Sequence, residues 1–90
     1  MTIASLSELE QSIRNVPDFP KPGIQFKDIT PVLADGRLFD ATVQHLLADI
    51  PQGSVDKIVG IDARGFIFGA VVADRIGAGF VPVRKAGKLP

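Results

Sequence analysis

Residues 57–84 constrain the fold more than any other stretch. Lys57-Ile58-Val59-Gly60-Ile61-Asp62 reads as a short apolar strand, and a tight turn through Ala63, Arg64 and Gly65 leads out of it. Residues 65–76 follow as a mostly apolar helix. Gly77 and Gly79 stop that helix, and Phe80-Val81-Pro82-Val83-Arg84 reads as a second strand. Strand, helix and strand in so short a span form a βαβ unit, whose crossover is right-handed in nearly every known case. Pro82 is awkward in a central strand and assigns the second strand to an edge or a bulge. The helix is apolar on most sides, so it is expected to be sandwiched.

Ligands of parallel α/β sheets sit beyond the carboxyl ends of the strands. Two cationic loops fall there: Asp62-Ala63-Arg64-Gly65, and Arg84-Lys85-Ala86-Gly87-Lys88. A helix start offers unpaired N–H groups and a partial positive charge. Arg64 beside it suits a phosphate gripped through two hydrogen bonds, with Lys85 and Lys88 as point charges. Gly65 lets the backbone approach an anion closely. A plainer reading stays open on spacing alone: Arg64 pairs with Asp62, and residues 84–88 form a solvated loop. Neither a Walker loop nor a GxGxxG fingerprint is present.

Upstream, Ser5 with Glu8 three residues later is a capping-box pattern, and Leu6, Leu9 and Ile13 recur at helical spacing. Pro17 limits that helix to about residues 5–15. Residues 17–23 hold three prolines and a glycine and read as a stiff extended connection. Phe19 within it suggests a segment packed on the body rather than a free linker. Residues 24–29 alternate apolar and polar as a short strand or β-like arm ended by Pro31. From Gly36 a second helix is expected, with Phe39, Val43, Leu46, Leu47 and Ile50 on its apolar face and Pro51 and Gly53 at its end.

The 90 residues allow one small domain, yet 46% are hydrophobic, more than so short a chain can readily cover by itself. A partner subunit or further sequence would supply the cover. Formal net charge is zero, which argues against nucleic acid as the main partner. There is no cysteine, so disulfides and thiolate metal sites are excluded, in keeping with a cytoplasmic protein. No apolar run is long enough to span a bilayer, and no signal-peptide pattern is visible. His45, the single histidine, is expected to be structural or at the surface. Asp28 and Asp35 read as turn and cap residues. No metal-ligand spacing and no nucleophile elbow occur.

Three segments in series resemble the adenine phosphoribosyltransferase family: residues 17–33 (PDFPKPGIQFKDITPVL), residues 60–69 (GIDARGFIFG) and residues 83–90 (VRKAGKLP). The resemblance covers essentially the whole chain. It implies an α/β fold, part of the type I phosphoribosyltransferase fold, in which residues 1–35 form an N-terminal hood helix and arm. Residues 36–90 would begin the core, with a βαβ unit of a mainly parallel sheet, so that the chain is a single incomplete domain. The family transfers the ribose-5-phosphate of phosphoribosyl pyrophosphate to adenine, giving AMP and pyrophosphate in purine salvage. Position by position, Gln25, Phe26 and Lys27 would form the adenine pocket, with Phe26 stacking on the ring and adjacent backbone reading its edge. Ala63, Arg64, Gly65, Lys85 and Lys88 would bind pyrophosphate, and magnesium would arrive on phosphoribosyl pyrophosphate.

The family's mobile catalytic loop would begin after Leu89-Pro90, and its acid-acid-Thr/Gly-rich motif does not occur in these residues. The catalytic residues are therefore unknown, and the 90-residue chain is expected to be inactive alone. Family members are commonly homodimers, so a homodimer is expected with a C-terminal half present. Two rival readings remain at this point. One is a xanthine or guanine phosphoribosyltransferase or a non-catalytic regulator that binds phosphoribosyl pyrophosphate. The other is an interaction module that keeps only the scaffold.

Overall fold

The computed structural model describes residues 2–90. They fall into two compact units that divide between His45 and Leu46. In the first, Ser5 caps helix α1 (Leu6–Ser12) by accepting the Glu8 N–H on Oγ at 3.1 Å. The reciprocal half of the capping box is not made, because the Glu8 carboxylate pairs with Arg37 instead. The helix stops short of residue 15. Arg14–Pro17 forms a strand, β1, paired antiparallel with β2 (Gln25–Asp28). Pairing with a distant segment has overridden the local helical spacing.

Asp28 ends β2 and starts a short helix, α2 (Thr30–Leu33): its Oδ1 accepts both the N–H and the hydroxyl of Thr30. Pro31 thus sits in a first helical turn, where a missing N–H breaks no bond. Helix α3 (Gly36–Leu47) starts on Asp35, whose Oδ1 accepts the N–H groups of Arg37 and Leu38. It buries Leu38, Ala41 and Val43, whereas Leu46 is exposed, so its buried stripe is rotated from the expected one. Ala4, Leu9, Val32, Leu38 and Ala41 form one core cluster. His45 serves structure here, its Nε2 lying 2.8 Å from the Ala4 carbonyl oxygen.

The second unit is the expected βαβ. Strand β3 (Lys57–Ile61) pairs parallel with β4 (Gly79–Val83), Lys57 opposite Gly79 and Ile61 opposite Val83. Helix α4 (Arg64–Ile76) connects them and ends on Gly77 at φ 72°, a conformation that suits glycine. It lies on the sheet face that carries Gly60 and Phe80. The edge of the Phe80 ring fills the space that side chains at Gly60 and Gly69 would occupy, and Phe66 meets it edge to face at 6.1 Å. Of the expected sandwich the unit makes one side, and Ile67 on α4 stays exposed.

The ladder explains Pro82. Gly79 donates to Asp56 and Val83 accepts from Asp62, both at 3.0 Å. Gly79, Val81 and Val83 therefore turn their backbone groups to β3, and Pro82 turns its own to the outer edge, where a missing N–H breaks no bond to β3. Among the described residues no helix is long and apolar enough to cross a membrane.

Candidate functional site

The residues singled out in the sequence gather in two places, one in each unit. The first is the β1–β2 hairpin. Successive side chains of a strand point to opposite faces, so Phe26 parts from its neighbours. Gln25 and Lys27 share a face with Asn15, whose amide donates to Gln25 Oε1 and accepts from Lys27 Nζ, both at 2.9 Å. Phe26 lies on the other face, with Phe19 edge to face at 5.2 Å. Arg14, Val16, Phe19, Phe26 and Asp28 line a cleft of about 140 Å³ there.

Pro17 decides where the backbone points. A hydrogen-bonded antiparallel pair exchanges two N–H···O bonds, which the Pro17–Gln25 pair cannot do. Val16–Phe26 and Arg14–Asp28 are then the hydrogen-bonded pairs in this register. The N–H and C=O groups of Gln25 and Lys27 consequently face away from β1, along the outer edge of β2. Neither their side chains nor a cluster of three residues makes the feature; one ring and two outward-facing peptide groups do.

Asp28 fixes this hairpin. Its carboxyl is held down at about 2, first by the Thr30 hydroxyl, then by the Thr30 N–H and by Arg14, which donates from Nε at 3.1 Å and Nη2 at 2.7 Å. A carboxyl whose folded pKa lies below its ordinary 3.8 stabilises the fold fully above that value and progressively less as pH falls toward 2. The hairpin is therefore expected to loosen between about pH 4 and pH 2, with Asp28→Asn flattening that part of the profile. Amide exchange or chemical shifts of Arg14 and Phe26 followed against pH would check it; an unchanged profile in the variant would refute the assignment.

The second place is the carboxyl end of β3 and β4. Ala63, Arg64 and Gly65 open α4, and the Asp62–Ala63 peptide is cis. Asp62 takes Arg84 as partner, from Nε at 3.1 Å, and the Arg84 guanidinium carbon lies 5.8 Å from the Phe66 ring centroid. Arg84 rather than Arg64 thus answers the acid at the strand end. Sequence reasoning placed Arg84 in a cationic loop without giving it this role. The register could have found it, since Ile61 beside Val83 puts Asp62 beside Arg84. Gly65 packs tightly: a Cβ there would lie 3.3 Å from the Gly60 carbonyl carbon. Lys85 and Lys88 are exposed on a turn closed by the Lys88 N–H on the Lys85 carbonyl at 3.1 Å.

A parallel βαβ unit, a hairpin arm and cationic turns beyond the strand ends define part of a type I phosphoribosyltransferase fold. Relatives narrow the class. The "Adenine phosphoribosyltransferase" of Herpetosiphon aurantiacus is 55% identical over 83 residues, 92% of this chain and 48% of its own. The crystal structure of adenine phosphoribosyltransferase from Rhodothermus marinus superposes with a TM-score of 0.88 at 55% identity, over 94% of this chain and 48% of that one. An APRTase from Giardia lamblia, solved with 9-deazaadenine, gives 0.90 at 42% identity over 97% of this chain and 48% of its own. No protein-family model matches. The chain is thus homologous to the N-terminal half of the adenine phosphoribosyltransferases, and it spans about half the length of the curated relatives it matches.

Proposed function

We propose that this chain supplies the adenine-binding arm and the pyrophosphate loop of an adenine phosphoribosyltransferase. In that reaction the bond from ribose C1 to pyrophosphate breaks, and pyrophosphate leaves with the electron pair. Adenine N9 forms the new bond to C1 and gives up its proton. The observation that carries the reading is the hairpin: an aromatic ring beside two outward-facing peptide groups suits a flat base with donors and acceptors on its edge. Phe26 would stack on the purine, while the backbone of Gln25 and Lys27 reads its edge. A relative of the same fold solved with 9-deazaadenine supports a purine as the ligand.

Arg64 and the first N–H groups of α4 would hold the departing pyrophosphate, with Lys85 and Lys88 adding positive charge. Cations and donors placed in advance favour the charge that builds on the leaving group. Among the described residues no three acidic or imidazole side chains gather to hold a metal. A magnesium ion carried by phosphoribosyl pyrophosphate would have chiefly phosphate oxygens and water as ligands. When bound, the ion would neutralise the same developing charge.

The 90-residue chain alone is expected to bind adenine weakly and to form no AMP. Adenine should shift the amide resonances of Gln25 and Lys27 and the ring resonances of Phe26, with xanthine a poor competitor. Stacking is worth roughly 1–3 kcal/mol per base, so Phe26→Ala should weaken binding by about tenfold or more. Labelled AMP from the pure chain with phosphoribosyl pyrophosphate and magnesium would overturn the expected inactivity. Equal response to xanthine would overturn the base assignment.

A further inference from the structure

The β1–β2 hairpin carries a polar tie on the face away from Phe26. Asn15 of β1 sits opposite Lys27 and diagonal to Gln25. Its side-chain amide engages both. The Lys27 ammonium donates to Asn15 Oδ1, and Asn15 Nδ2 donates to Gln25 Oε1, each at 2.9 Å. Donor chemistry dictates that order. An ammonium has hydrogens to give and no lone pair, so Asn15 must turn its oxygen to Lys27. Its nitrogen is then left for Gln25, which must answer with oxygen. One asparagine thereby joins the two residues whose peptide groups line the outer edge of β2.

The two strands form a two-stranded sheet of four residues each. Such ribbons twist more than wider sheets and are marginally stable in water. Backbone bonds to β1 hold Phe26 and Asp28, whereas the outward-facing groups of Gln25 and Lys27 have no strand beyond them. Their spacing follows the local twist of β2. The edge of a flat base is rigid, and hydrogen bonds weaken steeply as distance and angle drift. We infer that Asn15 is a positioning residue for base recognition: by tying Gln25 to Lys27 it sets the twist at which their peptide groups meet the edge of adenine. Its side chain lies on the opposite face from the Phe26 ring and acts through Gln25 and Lys27, not on the base. The inference rests on adenine binding at Phe26.

The test titrates adenine and, separately, xanthine into the 90-residue chain, followed by the Phe26 ring resonances and the Gln25 and Lys27 amides. Asn15→Leu keeps the size of the side chain and removes both hydrogen bonds. It should weaken adenine binding about three- to tenfold. It should also narrow the preference for adenine over xanthine, because stacking on Phe26 is common to both bases. A loss of structure alone would lower the two affinities together. Asn15→Asp is the rescue. Its carboxylate accepts from Lys27 and, once Gln25 turns its amide, from Gln25 Nε2 as well, so adenine should bind about as tightly as to the parent. Lys27→Met cuts one arm of the tie. Added to Asn15→Leu it should cost nothing further, as expected of residues that act as one unit. Should circular dichroism show the leucine variant unfolded, Asn15→Ser, too short to reach both partners, takes its place.

Unchanged adenine affinity in Asn15→Leu, an equal loss for adenine and xanthine, or an aspartate variant as weak as the leucine one would each overturn the inference. If Phe26→Ala weakens adenine binding and Asn15→Leu does not, the positioning role falls and the adenine reading stands. If the parent chain gives no response to adenine at Phe26, the adenine reading falls and the role of Asn15 with it.

Discussion

Gly60→Ala is expected to lower the stability of the chain by about 3 kcal/mol, the upper end of what overpacking in a filled site costs. A methyl at residue 60 would lie 2.6 Å from the Gly65 carbonyl oxygen and 2.6 Å from two atoms of the Phe80 ring. The ring could swing aside. The carbonyl belongs to the first turn of α4 and cannot retreat without moving the start of that helix, and Arg64 with it. A chain this small commands roughly 0.05–0.15 kcal/mol of stability per residue, so such a loss removes a large share of the total. Urea unfolding followed by circular dichroism measures it.

Gly69→Ala is the comparison. Its methyl would clash with the Phe80 ring, at 2.7 Å, while the Gly60 Cα lies at an ordinary contact distance of 3.6 Å. The loss should be smaller, about 1–2 kcal/mol, and Phe80→Leu should relieve it. The same second change should leave most of the Gly60→Ala defect in place, because the Gly65 carbonyl remains. If Gly60→Ala fell within about 0.5 kcal/mol of the parent, the range of an ordinary surface change, the strand–helix contact would not be the tight point described.

Arg64→Gln is expected to weaken pyrophosphate binding by roughly ten- to a hundredfold, as hydrogen bonds to a charged group contribute about 1.5–3 kcal/mol. Titration with magnesium pyrophosphate, by calorimetry or by amide shifts at residues 63–66, provides the number. Lys85→Gln and Lys88→Gln should each cost only about a few-fold, since exposed point charges are screened by water and salt. Arg84→Gln should also weaken binding, for a different reason. It would leave the Asp62 carboxylate without its partner, beside the incoming anion. Adding Asp62→Asn should then restore part of the affinity, whereas it could not if Arg84 acted by touching the ligand itself. Equal binding by the parent chain and Arg64→Gln would remove Arg64 from the site.

Much of the second unit was legible in the sequence. The apolar run of β3, the helix stop at Gly77 and the edge position of Pro82 all follow from local chemistry, and the structure bears each out. The first unit was less legible. Arg14 and Asn15 looked like the tail of a helix, because the spacing from Leu6 carries about that far and the Asp28 partner of Arg14 lies fourteen residues away. Thr30–Leu33 was missed because Pro31 stops a strand and also suits a first helical turn. In the candidate site, the three residues Gln25, Phe26 and Lys27 read as one group. The pairing with β1 splits them into a ring on one face, two side chains on the other and two peptide groups along the edge.

The sequence by itself determined which elements form around residues 57–84 and which loops carry positive charge, because strand alternation, glycine stops and charge are properties of neighbouring residues. Three segments in series, residues 17–33, 60–69 and 83–90, also point to the family. Only the tertiary structure decided that Arg84, not Arg64, answers Asp62, that Gly60 and Gly69 make room for one ring, and that Val59, Ile61, Val81 and Val83 share an uncovered face. Those facts depend on the register between β3 and β4, and register is set by contacts between residues about twenty positions apart. Local propensity cannot count that distance; packing does.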